Sequence, residues 1–125
     1  MRASVPATIA ISLLLVECTD PSVCLPNIAH GLTVRALEAG TGKNVTDSAQ
    51  GTVTEGTYVD SLRPAEVDAA GRVQLLSAAD ERAGTYGVFV ERSGYQAVSR
   101  SAVEVRAGDC HVHTVALDLT MVPIP

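Results

Sequence analysis

Along the body of this chain, apolar and polar positions alternate in short runs, and turn residues cut the runs apart. In "IAHGLTVRAL", residues 28–37, Ile28, Leu32, Val34 and Ala36 fall on one face, the spacing of a half-buried strand. "EAGTGKN" follows, with two glycines and an asparagine, and predicts a turn. Thr52-Val53-Thr54 and Thr57-Tyr58-Val59 flank Glu55-Gly56. All six flanking residues suit strands, so a tight hairpin is predicted, with Gly56 at the position that needs positive φ. "RPAEVDAAGR", residues 63–72, reads as a polar loop with room for one helical turn, and "VQLLSA" as a strand. "DERAG", residues 80–84, turns the chain as a solvated corner. In "TYGVFVER", Tyr86, Val88 and Val90 share one face and Phe89 takes the other. After the turn "SGYQ", "SAVEVRAGD" places Val103 and Val105 together, and "CHVHTVALDL" is the last strand.

About seven short strands, regular turn signals and no long helical period predict an all-β fold, an antiparallel β-sandwich. Composition sharpens this picture. The chain has 125 residues and is 46 % hydrophobic, yet it holds no Trp, one Phe and three Tyr. Its core is therefore built from thin layers of Val, Ala and Leu. The net charge is −5 and the nine Lys and Arg are scattered singly. That distribution offers no nucleic-acid footprint and no basic patch for a membrane surface.

The first residues read as an export signal. Met1 and Arg2 give a positive start, and an apolar run extends from Val5 to Val16; it is too short to span a bilayer. Residues 1–17 are assigned to the signal, 18–27 to a linker and 28–121 to the sandwich. With no second apolar run, the mature protein is expected to have no membrane span. "LVEC", residues 15–18, resembles a bacterial lipobox, which implies a lipid anchor on Cys18. Leu15 suits that motif and Glu17 departs from it. Cleavage nearby, giving a soluble secreted protein, is the alternative. Either way the expected location is the bacterial cell envelope or beyond it.

Export implies an oxidising compartment. Three cysteines are present, Cys18, Cys24 and Cys110, so one is left over. If Cys18 is lipidated or trimmed, Cys24 and Cys110 remain to pair. A free thiol or a Cys18–Cys24 bond are the alternatives.

Three stretches together resemble the carboxypeptidase regulatory-like domain, a transthyretin-like β-sandwich with Greek-key connections. They are "LTVRALEAGTGKNV", "AGTYGVFVERSGYQAV" and "VEVRAGDCHVHTVALDL", and the resemblance covers residues 28–119. It implies an accessory domain with neither zinc ligand nor nucleophile. It also implies that Tyr86 and Tyr95 are large pieces of the core, each needing a hydroxyl partner. Gly84 and Gly94 would then take backbone shapes that a Cβ opposes.

The reactive residue types admit a second reading. His111 and His113 lie two apart in the last strand, and residues at that spacing share a face. Asp109 has the same parity, and His30 in the first strand is the candidate for a further ligand, so zinc or copper would be the metal. The plainer reading places these histidines at the rim of the core. A third reading starts from "HGLTVRALEAGTGK" and "HVHTVALDL", which faintly resemble the first and last strands of the hydroxyisourate hydrolases. The end "TMVPIP" departs from that family's Tyr-Arg-Gly-Ser. No Gly-x-Ser-x-Gly elbow and no phosphate loop occurs. "NVT", residues 44–46, has the form of a glycosylation acceptor and is taken as chance. The sequence is thus read as a cofactor-free, non-catalytic envelope module that binds a protein or a glycan. Loops 38–47 and 63–72 are its expected contact regions.

Overall fold

The computed structural model describes residues 24–125. The signal assigned to residues 1–17 and the lipidation candidate Cys18 lie outside the described residues. No helix among the described residues is long and apolar enough to cross a membrane.

The fold is an all-β sandwich of eight strands: β1 (Leu32–Glu38), β2 (Gln50–Glu55), β3 (Tyr58–Ser61), β4 (Arg63–Val67), β5 (Val73–Ala78), β6 (Gly84–Glu91), β7 (Val98–Val105) and β8 (Val115–Met121). One sheet has the order β4-β5-β1-β8 and the other β3-β2-β6-β7. Neighbours run antiparallel except β1 and β8, which pair in parallel from Leu32↔Val115 to Glu38↔Met121.

The alternation places the core. Leu32, Val34 and Ala36 of β1, Leu119 and Met121 of β8, and Leu76 and Ala78 of β5 point inward from one sheet. Val53, Tyr86, Val88, Val90, Val103 and Val105 meet them from the other. The hairpin forms as its sequence demands: Thr54 faces Val59, Glu55 faces Tyr58, and Gly56 has a φ of 56°. The two-residue loop is Gly56-Thr57, one position later than the sequence suggested.

Four expectations are corrected. The first strand begins at Leu32, and Ile28 is 65 % exposed, because Gly31 donates to the Ala79 carbonyl and a Cβ there would come within 2.4 Å of it. Much of 63–72 is strand β4, not loop; it pairs with β5 through two register shifts. Such bulges, with Pro64 in the strand, suit an edge and erase the clean alternation that would have revealed it. The last strand starts at Val115, since Ala107 and Val112 bridge across a tight loop that consumes residues 108–111. Eight strands stand where about seven were expected, β4 being the addition.

Leu62 is the corner where the chain changes sheets between β3 and β4. It is buried, and its N–H donates to the Gly51 carbonyl. Segment 44–46 returns alongside β1: Val45 N–H donates to the Ala36 carbonyl, and buried Thr46 accepts from Ala36 N–H. The Asn44 amide donates to the Gln74 carbonyl. With its amide engaged and Thr46 buried, the Asn-Val-Thr triplet is a structural brace.

Candidate functional site: a carboxylate–histidine corner and an aromatic face

Two places concentrate chemistry. The first is the turn from Ala79 to Arg82, between β5 and β6. Ala79 and Glu81 both have positive φ, 56° and 51°, a conformation that costs a non-glycine residue about 1–3 kcal/mol. Each of the four residues is held to a different part of the chain. Ala79 N–H donates to the Asp60 carboxylate at 2.9 Å. Asp80 lies 2.7 Å from His30 Nδ1 and also faces Arg63. Glu81 accepts from Ala29 N–H at 2.7 Å and lies 2.5 Å from His111 Nδ1. Arg82 contacts Glu55 at 3.0 Å and the Tyr86 hydroxyl at 2.9 Å, and its guanidinium lies 3.7 Å from the centre of the Tyr58 ring.

His111 is engaged at both ring nitrogens. Its Nε2 faces the Leu25 carbonyl at 3.0 Å. A carbonyl only accepts, and so does an ionised carboxylate. The Glu81 carboxyl is held below the usual range by the Ala29 N–H first and by His111 second. Both acceptors thus lie on one ring, which ties the lead-in and the turn to the loop before β8.

The disulfide joins the same corner. Cys24 and Cys110 are bonded, 86 positions apart in sequence. The lead-in 24–31 is thereby fastened to the loop before β8, and Thr114 adds a hydrogen bond to the His30 carbonyl.

Below the corner, Tyr86 is 1 % exposed and its hydroxyl donates to the Arg82 carbonyl at 2.7 Å. Glu55 reaches in to accept from Thr85 N–H. That bond, more than the Arg82 pairing, holds the Glu55 carboxyl low, against an opposing desolvation. Gly84 is small for this reason and not for a special φ: a Cβ would meet Glu55 Oε1 at 2.7 Å. Gly94 does adopt positive φ, 86°. The Tyr95 hydroxyl finds its partner in the Glu38 carboxylate.

The sequence-derived site residues are therefore brought to one end but not to one ion. His30 and His111 each face a different carboxylate, and His113 is exposed beside Gly108. Among the described residues, no group of three or more His, Cys, Asp or Glu side chains is arranged to hold a metal ion. The reason is that His30 and His111 are directed onto neighbouring turn residues. Asp80 and Glu81, read from sequence as a solvated corner, turn out to be the residues that organise this end. Their signal in the sequence was only two adjacent acids.

No known family model matches the chain, and no curated protein matches it.

The second place is the outer face of the β3-β2-β6-β7 sheet. Phe89, the chain's one phenylalanine, points out from central strand β6 and is 39 % exposed. Cross-strand pairs put Ser61, Thr52, Phe89 and Ser99 in one row across all four strands. Depressions lie on both sides of the ring, one bordered by Gln50, Gly51 and Glu91, the other by Thr54, Gly87 and Arg100. Glu91 borders one depression and Arg100 the other. The opposite sheet carries the Arg35–Asp118 pair across β1 and β8. Sequence reading placed Phe89 outward but attached no role to it.

Proposed function

We propose that the chain is an exported, non-catalytic β-sandwich module of the bacterial cell envelope that binds a protein or glycan. The observation that carries this reading is the outward Phe89. A chain with one phenylalanine gains about 2 kcal/mol by burying it, yet leaves it over a third exposed on a central strand. Phe89 stands in a row with Ser61, Thr52 and Ser99 between two depressions, and this row, more than the exposure of the ring by itself, supplies a contact surface. The non-catalytic part of the reading draws support from the histidines, which engage the carboxylates that brace the fold. The carboxypeptidase regulatory-like, transthyretin-like assignment belongs to the same proposal. It is supported by the places of its motif residues: Tyr86 in the core, Gly94 in a positive-φ turn and Tyr95 behind it.

The test is mass spectrometry and activity on protein purified from its own envelope without chelator. The expected result is a chain processed at or near Cys18, two hydrogens below the reduced mass, with no metal increment and no hydrolysis of hydroxyisourate. A metal-sized increment lost on H111A/H113A substitution, or turnover of hydroxyisourate, would overturn the reading.

A further inference from the structure

We propose that the Phe89 face binds a neutral glycan chain. This rests on the reading of the chain as a binding module and names its ligand class. Three features of the face point the same way. First, an aromatic ring on a sheet presents an apolar surface of the size of a pyranose ring, whose C–H faces stack on such rings. Second, the groups in line with Phe89 are hydroxyls: Ser61 and Thr52 on one side, Ser99 on the other. Hydroxyls both donate and accept, as sugar hydroxyls do. At the edge of one depression, the Gln50 amide and the Glu91 carboxylate lie side by side, 3.4 Å apart, a combination that suits neighbouring sugar hydroxyls. Third, the row spans four strands, about 14 Å at the usual strand spacing. It therefore fits a chain-like ligand lying across the strands better than a single small molecule.

A glycine leaves one of the depressions open. Gly87, two residues before Phe89 on its own strand, leaves the second depression unfilled. Its Cβ would find Thr54 Oγ1 at an ordinary 3.4 Å, so the packing does not demand glycine there. Glu91 at one depression is offset by Arg100 at the other, so it is the net charge of −5 that disfavours an anionic polymer. A second copy of this chain is disfavoured because Phe89 and Val59 are the large apolar side chains exposed on this face, too few for the apolar centre of a stable interface.

Affinity electrophoresis in gels containing laminarin, hydroxyethyl cellulose or glycol chitin tests the proposal, with carboxymethyl cellulose as the charged comparison. The expected result is retardation by at least one neutral polymer, followed by calorimetry with oligosaccharides of that polymer. Phe89→Ala should weaken binding at least tenfold, by the usual yardstick for a central aromatic (~1.4 kcal/mol per decade). Gly87→Val, which fills one depression with a strand-forming residue, should weaken it without unfolding the protein. Phe89→Tyr should retain it, and Arg35→Ala on the opposite sheet should leave it unchanged. Failure of all three neutral polymers to retard the protein would overturn the proposal. So would equal retardation of F89A and the parent, both folded by circular dichroism, or a dimer that F89A dissolves. Cleavage of a bound oligosaccharide, with F89A impaired, would support the site and overturn only the non-catalytic reading.

Discussion

His111 Nδ1 lies 2.5 Å from Glu81 Oε1, and this contact ties the loop before β8 to the turn after β5. It makes the corner sensitive to acid. The Glu81 carboxyl is held low by the Ala29 N–H first and the His111 ring second. A carboxyl depressed in the folded state stabilises fully above its unfolded value, near 4.3. That contribution is lost as pH falls through the folded value. Glu55 and Asp118, also held low by Thr85 N–H and by Arg35 respectively, act in the same direction. The urea midpoint should therefore be flat above about pH 5 and fall below it. Glu81→Gln should lower the neutral plateau and shallow the acid fall.

Removing the disulfide should be costly. A closed loop of this length, with its ends 86 positions apart, stabilises by about 4–5 kcal/mol through unfolded-state entropy. Cys24→Ser/Cys110→Ser should lower the unfolding free energy by that order in a non-reducing urea titration. Binding at the Phe89 face should survive at temperatures where the variant remains folded. A variant that melts with the parent would show that the corner's hydrogen bonds hold the lead-in by themselves.

The Tyr86 hydroxyl gives a finer measurement. It is buried and donates to the Arg82 carbonyl. Tyr86→Phe keeps the ring and should cost about 1–2 kcal/mol, from a lost hydrogen bond and a carbonyl left underserved. Denaturant unfolding at unchanged m-value checks this.

Ala102 has a φ of 56° in β7, where the pairing with β6 shifts register. Its side chain is exposed, so nothing but backbone geometry is at stake. Ala102→Gly should stabilise by about 0.5–1 kcal/mol, the relief of left-handed strain outweighing glycine's extra chain entropy. A lower melting temperature for A102G would contradict this.

Strands whose buried residues keep a period of two were legible in the sequence, even where, as between β6 and β7, the pairing itself shifts register. Leu32, Val34 and Ala36 were placed correctly, as were Tyr86, Val88 and Val90 and the pair Val103 and Val105. Strand β4 was hidden because its two register shifts break the period of two on which recognition depends. Residues 110–114 imitated a strand because His111, Val112 and His113 alternate in type. Their backbone instead follows the Gly108–His111 hydrogen bond and the disulfide. The histidines were placed at one end, yet their partners were not legible. Nothing local to Asp80 or Glu81 indicates which distant histidine each will meet. The Phe89 row was likewise hidden, since cross-strand neighbours follow from register and not from spacing along the chain.

The parallel pairing of β1 with β8 couples the two ends of the domain in time as well as in space. β1 pairs with β5 on one side, but on the other side all seven of its residues find their neighbours in the last strand. Contacts so distant along the chain form late and slowly. During synthesis, Leu32, Val34 and Ala36 stay without one flank of their sheet until β8 has emerged. The domain is thereby kept from completing its fold before nearly all of it is available.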